Sequence, residues 1–165
     1  MKKNKAAATL PKLTGKRFAI VSARFYGELA DWLEDGAGRA LADCGVQPDC
    51  IEVFEVPGCF ELPLAASRLI AGDTFDGIVA VGAVIRGETP HFDYVAGECA
   101  RGIMNVQLAT GTPIGFGVLT TDTLAQAQER ADPTRGDKGY EAAMAAAILL
   151  TIPKEPAREP VGFRR

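Results

Sequence analysis

The segment at residues 82–94 reads GAVIRGETPHFDY, and it joins two different sequence patterns. The apolar run at 77–84 is typical of a buried strand, and the residues that follow the segment have the apolar spacing of a helix. Between them lie a glycine-flanked turn, an N-cap candidate in Thr89, and Pro90 at the first helical position, where its missing N–H is tolerated. The segment therefore predicts a strand, a turn and a helix, the repeating unit of an α/β fold.

The predicted start of this helix has two properties that suit chemistry on an anion. Its free N–H groups and positive dipole end can hold a phosphate. The single histidine of the chain, His91, falls in the first turn, and an imidazole exchanges protons near neutral pH. The same pattern also occurs in α/β domains that bind nothing at this place, and Arg86 is equally compatible with a solvated loop charge. The segment alone leaves a functional and a structural interpretation open.

Length and charge limit the classes of protein that fit the chain. Its 165 residues predict one domain, large enough to bury roughly 70% of the surface of the unfolded chain. The formal net charge of −3 provides no basic footprint for nucleic acid. The lysines and arginines clustered at the two ends of the chain are interpreted as solvated arms. We expect neither nucleic acid nor a membrane as a partner.

The cysteines and the N-terminal residues indicate the cellular compartment in which the protein is expected. Cys44, Cys50, Cys59 and Cys99 have no C-x-x-C spacing and no histidine partner, so no metal site is expected. Their apolar or glycine-rich surroundings suit free thiols in a reducing cytoplasm. Three alanines after the first lysines are far short of a signal peptide, and no run approaches the ~20 apolar residues of a membrane helix. We expect a soluble, cytoplasmic protein.

Strand and helix patterns alternate along the chain. Strands are predicted at residues 18–21, 50–56, 77–84 and 114–119. Helices are predicted at 62–70, 124–131 and 138–150, from residue 29 to near Gly45, and from Pro90 to just before Gly111. The alternation predicts a three-layer α/β sandwich, a four-stranded parallel sheet with helices on both faces. Residues 1–15 are expected to be a flexible lead, 16–151 a single domain, and 152–165 a proline-rich flexible tail.

Ligands of such sheets bind beyond the carboxyl ends of the strands. Several chemically informative residues fall there: Phe25 after the first strand, residues 59–61 after the second, and residues 86–91 after the third. The aromatic residues Phe25 and Phe60 are unusual in such loops. Stacking on a flat heterocycle would offset the cost of exposing them, and the alternative is that both cap the core beneath.

Six segments together resemble one family. They are residues 23–25 (ARF), 56–63 (VPGCFELP), 82–94, 116–120 (FGVLT), 128–131 (QERA) and 136–139 (GDKG). In this order and with matching separations, they are similar to the 6,7-dimethyl-8-ribityllumazine synthases of riboflavin biosynthesis. The likeness runs from about residue 15 to 151. The V-P-G-x-F-E and V-I-R-G-E-T-x-H segments are its most specific parts.

The resemblance implies a flavodoxin-like fold and a transferase reaction. 5-Amino-6-(D-ribitylamino)uracil condenses with 3,4-dihydroxy-2-butanone 4-phosphate to give 6,7-dimethyl-8-ribityllumazine. An aryl amine attacks the ketone to form an imine, phosphate is eliminated, and the ring closes with loss of water. The resemblance implies neither a cofactor nor a metal.

The resemblance also implies roles for individual residues, with His91 as the catalytic group that moves protons. It assigns the pyrimidine and ribityl chain to Phe25, Cys59, Phe60, Glu61, Ala83, Val84, Ile85, Phe116 and Lys138. It assigns the phosphate to Glu88, Thr89 and Arg130. From the residues alone, Arg130 and Lys138 are equally compatible with surface charges, and Glu61 with a carboxylate favoured by a helix dipole. Cys59 is interpreted as a small spacer, not a nucleophile.

Assembly follows from the same resemblance. It implies that Phe116, Arg130 and Lys138 reach into a neighbouring subunit's site, that a homopentamer is the minimal active unit, and that twelve pentamers can close into an icosahedral capsid. The segment near Lys16 is expected to add a strand to an adjacent subunit's sheet. Residues 130–138 contain no obvious insertion, so a capsid is permitted. The sequence does not decide between pentamer and capsid.

Two positions depart from the family pattern. Tyr26 stands where many relatives have a smaller polar residue, and Thr134 stands where a lysine is often found. We therefore expect an altered lid on the pyrimidine pocket and one missing basic contact near the phosphate.

Other functions remain to be separated from this one. A homologue could store a flavin without turnover, or serve mainly as a structural shell. A generic flavodoxin-like FMN module fits poorly, because residues 22–25 (SARF) are not a Ser/Thr-rich phosphate loop.

Overall fold

This computed structural model describes residues 9–154. Their central feature is a four-stranded parallel sheet. Its strands are β1 (Phe18–Ala23), β2 (Ile51–Val56), β3 (Gly77–Ile85) and β4 (Ile114–Thr121), in the order β2-β1-β3-β4. The helices are α1 (Gly27–Asp43), α2 (Leu62–Ala71), α3 (His91–Thr110), α4 (Leu124–Ala131) and α5 (Lys138–Leu150). Short 3₁₀ segments, Pro48–Cys50 and Cys59–Glu61, precede and follow β2.

The two central strands determine the layers. Every residue of β1 and most of β3 is buried, as expected for parallel strands covered on both faces. One face packs on α1, α4 and α5 through residues such as Leu33 and Leu41, and the other packs on α2 and α3 through Leu62 and Ile103. Fully burying a leucine of this kind contributes about 1.5–3 kcal/mol. The predicted three-layer α/β sandwich is confirmed.

Several strands extend beyond their predicted ends. The sequence predicts that the first strand stops at residue 21, but Ser22 and Ala23 continue it because they pair with Glu55 and Val56 of β2. Likewise, β4 continues to Thr121, which pairs with Ile85. Pairing with a neighbouring strand therefore overrides the polar character of the serine and threonines.

The start of α3 lies one residue later than predicted. The sequence predicts Thr89 as the N-cap and Pro90 as the first helical residue. In the structure, Pro90 occupies the cap position, with φ −64° and ψ −2°, and His91 begins the helix. The Thr89 hydroxyl still lies against the helix start, where it accepts a hydrogen bond from the His91 N–H at 3.4 Å.

The beginning of the described chain is attached to the core. Leu13, within the predicted lead, is buried, and its N–H donates to the carbonyl of Cys44 at 2.8 Å. The rest of the predicted lead, residues 1–8, and most of the predicted tail, residues 155–165, lie outside the described residues. Across residues 9–154, no helix has the combined length and apolar character needed to cross a bilayer.

Candidate active site

A cavity of about 550 Å³ opens at the carboxyl ends of β1, β2 and β3. This is the position at which a parallel sheet of this type binds ligands. The predicted site residues that line it are Phe25, Cys59, Phe60, Glu61, Ala83, Val84, Ile85, Thr89 and His91. Three separate loops of the sequence therefore meet at one place.

Exposed aromatic rings surround this cavity. Phe25 is 74% exposed, Phe60 59% and Tyr94 69%. The Phe25 ring packs edge-on against Tyr26, with the two ring centroids 5.0 Å apart. Rings this exposed do not cap the core, so the structure excludes that alternative for Phe25 and Phe60. A flat heterocycle stacked among them would cover the apolar surface that they expose to water.

The floor of the cavity consists of tightly packed small groups. A Cβ atom on Gly82 would lie 2.7 Å from the Cys59 sulfur and 2.8 Å from the Cβ of Ala23, so only glycine fits there. Burial, and to a lesser extent the neighbouring Cys99 and Glu61, raises the pKa of the Cys59 thiol to about 12. The thiol is therefore protonated at neutral pH and lacks the thiolate that a nucleophile needs.

Glu61 closes the turn that follows β2. Its Oε2 accepts a hydrogen bond from the N–H of Gly58 at 3.0 Å, which fixes the loop that carries Cys59 and Phe60. The residue itself is exposed and lines the cavity. Its carboxylate thus has a structural contact in addition to the ligand-binding role that the sequence predicts.

The start of α3 forms one wall of the cavity. Thr89 and His91 line it, and both are exposed. The first N–H groups of a helix have no partners within the helix, so this wall offers donors and a positive dipole end to an anion. Glu88 is exposed next to this wall but does not itself line the cavity.

Arg86 holds the turn between β3 and α3. Its Nε donates to Oδ1 of Asp122 at 3.0 Å, and its Nη1 lies 3.5 Å from Oδ1 of Asp93. Its guanidinium also lies over the ring of Phe92, 4.3 Å from the ring centroid. The side chain therefore connects the first turn of α3 to the end of β4, and it is not the free loop charge that the sequence alone allowed.

Comparison with known proteins identifies the family. The family model described as 6,7-dimethyl-8-ribityllumazine synthase matches residues 15–154. The chain belongs to this family. It is 48% identical over 138 residues to the 6,7-dimethyl-8-ribityllumazine synthase of Syntrophus aciditrophicus, an alignment that covers 84% of this chain and 90% of that protein.

Two further relatives carry the same name. The protein from Desulfatibacillum aliphaticivorans is 46% identical over 141 residues, covering 86% of this chain and 91% of its own. The protein from Nitratidesulfovibrio vulgaris is 46% identical over 138 residues, covering 84% and 87%. The range matched by the family model, residues 15–154, contains every residue that lines the cavity.

Three residues that the lumazine synthase resemblance assigns to the site lie elsewhere in the single chain. Arg130 and Lys138 line a second cavity, of about 420 Å³, together with Arg135. Phe116 lies on the edge strand β4 and is 42% exposed. None of the three lines the first cavity. That these three residues contribute to the site of a neighbouring subunit stays a prediction.

The first cavity also contains residues that the sequence did not assign to binding. They are Tyr26, Pro57, Gly58, Gly87, Phe92, Tyr94 and Val95. Pro57 and Gly58 directly follow β2, so the strand-end rule could have found them. Tyr94 and Val95 could not be found in this way, because their position depends on how α3 is oriented against the sheet. Within the described chain, no three His, Cys, Asp or Glu side chains are grouped as metal ligands.

Proposed function

We propose that the protein is a 6,7-dimethyl-8-ribityllumazine synthase that acts in the cytoplasm. It condenses 5-amino-6-(D-ribitylamino)uracil with 3,4-dihydroxy-2-butanone 4-phosphate, releasing phosphate and water. One observation carries the proposal. A single cavity combines exposed aromatic rings, which suit a flat pyrimidine, with a helix start and an imidazole, which suit a phosphate ester about to be eliminated. The four cysteines are unpaired, as in a reducing compartment.

The first cavity provides the binding part of the mechanism. Phe25 stacks on the pyrimidine, the backbone of Ala83, Val84 and Ile85 bonds its edge, and Glu61 accepts hydrogen bonds from ribityl hydroxyls. The phosphate lies against the N–H groups of Glu88 and Thr89. Holding two substrates in reacting geometry contributes up to ~7–11 kcal/mol to catalysis.

The chemical steps need one proton carrier. The aryl amine of the pyrimidine attacks the ketone, and loss of water gives an imine. His91 takes a proton from the carbon next to the imine while the C–O bond to phosphate breaks, which leaves an enol. The imidazolium then returns this proton to the terminal carbon while the enol O–H proton goes to the departing phosphate, giving a methyl ketone. The ribitylamino nitrogen attacks that ketone, and loss of a second water closes the ring. General acid–base help of this kind contributes about 10²–10⁴ in rate.

A neighbouring subunit completes the site. We assign Arg130, Phe116 and Lys138 to the site of an adjacent protomer in a homopentamer, twelve of which can form an icosahedral capsid. Two features support this assembly. The outer edge of β2 has no partner strand among the described residues, and Val53 on that strand is half exposed. Native proteins cover such edges, and the segment near Lys16 of another subunit is suited to do so.

The test is to mix the purified protein with both substrates. We expect fluorescent lumazine and inorganic phosphate to appear in equal amounts, and the particle mass to be that of a pentamer or a multiple of it. A yellow protein that forms no lumazine would instead favour a flavin-storage protein. Assembly without turnover, unchanged when cavity residues are altered, would favour a structural shell.

A further inference from the structure

The second cavity is lined by two guanidinium groups that form no ion pair among the described residues. Its charged lining residues are Glu129, Arg130, Arg135 and Lys138. Lys138 forms an ion pair with Glu141. The Arg130 guanidinium instead donates to the backbone carbonyl of Gln126 at 3.0 Å, and it forms no ion pair within residues 9–154, although Glu129 lines the same cavity.

Arg135 is the second guanidinium without an ion pair among the described residues, although its charge acts on a nearby carboxylate. Hydrogen bonds from Thr134, and after them the charge of Arg135, lower the pKa of Asp132. Arg135 is exposed, and across residues 9–154 its side chain has no ion pair with any carboxylate and no hydrogen bond. Asp132, which precedes it in the same loop, is occupied by two hydrogen bonds from Thr134, at 2.8 and 2.7 Å.

The loop fixes the backbone of Arg135 beside Arg130. The N–H of Gly136 donates to the carbonyl of Glu129 at 3.0 Å, which closes the loop onto the end of α4. A Cβ atom on Gly136 would lie 2.6 Å from the Cα of Arg130, so the two backbones are in direct contact. Two guanidinium groups without an ion pair are thereby held at one depression, where their N–H donors remain available to a bound anion.

We propose that Arg135 is a second phosphate-binding residue, acting beside Arg130. The planar donor fork of a guanidinium matches phosphate oxygens, and two forks can bind one phosphate dianion from two sides. The inference deepens the proposed function and rests on it. Of the two substrates in that reaction, only the butanone phosphate carries such a group, so Arg135 acts on the recognition of this substrate.

The experiment compares the unmodified protein with Arg135→Ala and Arg135→Lys in steady-state kinetics. For Arg135→Ala we expect the KM for the butanone phosphate, and the inhibition constant of inorganic phosphate, to rise about tenfold, the scale of one charge-assisted hydrogen bond. The KM for the pyrimidine and kcat stay within about twofold. Arg135→Lys keeps the charge but loses the fork, so its values lie between the two.

The matched control is Arg101→Ala, which removes an exposed arginine of α3 that pairs with Glu98. This variant should change none of the constants. An Arg135→Ala protein whose kinetic constants equal those of the control would overturn the proposal. A variant with a lower melting temperature in which both KM values and kcat worsen to the same extent would also overturn it. Calorimetric binding of inorganic phosphate to the unmodified protein and to Arg135→Ala tests the arginine separately, even if no lumazine forms.

Discussion

At the residue scale, the first cavity contains one imidazole, to which we assign proton transfer, and one buried thiol. His91 is exposed at the start of α3 and lines the cavity. Cys59 lies on the floor and is 4% exposed. The two groups therefore contribute differently, and each can be tested by a single substitution.

For His91→Ala we expect slower turnover but measurable activity. The substitution removes a general acid–base contribution of about 10²–10⁴ in rate, whereas the positioning of two substrates is retained. Single-turnover and steady-state rates of lumazine formation provide the measurement. Undetectable activity in a variant of unchanged particle mass would show that proton transfer matters more than positioning.

For Cys59 we expect a pH-dependent contribution to stability. The folded state raises the thiol pKa from an ordinary value of 9.0 to about 12, so the unfolded chain loses its proton first as the pH rises. The neutral thiol's contribution is complete below pH 9 and is lost above it, reaching about 1.4 kcal/mol by pH 10.

Urea unfolding at pH 8 and pH 10 measures this contribution, with Cys59→Ala as the control. The free energy of unfolding of the control should fall less between the two pH values. Equal losses in the two proteins would mean that the Cys59 thiol is not buried as described. Reduced, alkylation-free samples are needed so that thiol oxidation does not contribute.

At the element scale, the turn between β3 and α3 depends on residues that are distant in sequence. Arg86 joins Asp93 in α3 to Asp122 after β4. Exposed ion pairs of this kind contribute little to stability. Their consequence is geometric, because they fix the turn that carries Thr89 and His91.

Arg86→Met should therefore reduce activity more than stability. Methionine retains contact with the Phe92 ring but loses both ion pairs, so the helix start shifts relative to the cavity. We expect kcat/KM to fall about tenfold or more, since small displacements of catalytic groups are costly, with little change in melting temperature. Arg101→Met is the matched control. Equal kcat/KM values in the two variants would show that Arg86 is only a solvated surface charge.

The same scale shows what the sequence could predict. The apolar runs of β1 and β3 and the helical spacing of α1 were sufficient for the sheet and its layers, because local patterns follow burial. The bounds of α5 were predicted as observed, at residues 138–150, but the backbone conformation just before the helix was not. Asp137, just before it, has a positive φ of 47° and is held by two hydrogen bonds from Arg39 of α1, at 2.8 and 3.1 Å. The local sequence pattern does not predict the contact between Arg39 and Asp137, because the two residues are far apart in sequence.

Some residues of the candidate site could likewise be predicted from the sequence, and others could not. Phe25, Phe60 and His91 were predictable because each follows a strand, and the strand-end rule brings such residues together. Tyr94 was not predictable, since its exposure beside the cavity depends on the packing of α3. Arg86 was ambiguous for a similar reason, because Asp122 comes near it only when β3 pairs with β4.

At the scale of the whole molecule, the two cavities of one chain share no lining residue. If an adjacent subunit completes each site, the groups of the two cavities act on one substrate only across a subunit boundary. His91 and Arg130 then belong to different chains in every working site.

Co-expression of His91→Ala and Arg130→Ala chains tests this arrangement. Each variant alone should be slow, but mixed particles contain some sites with both groups intact. A random equal mixture in a closed ring should regain about a quarter of the unmodified activity. The control mixes His91→Ala with the double variant, which cannot regain it. If the mixed particles are no faster than particles of either single variant, His91 and Arg130 act in the site of one chain.

The packing beneath the first cavity restricts how the protein can diversify. Because Gly82 has no room for a methyl group between the Cys59 sulfur and Ala23, the depth of the pocket is fixed by the sheet itself. Any change in preferred ring size must come from Phe25, Tyr26 and their neighbours at the mouth, which support no strand. Changes in substrate preference are therefore expected at the entrance, within the limits that stacking on Phe25 imposes, and not at Gly82.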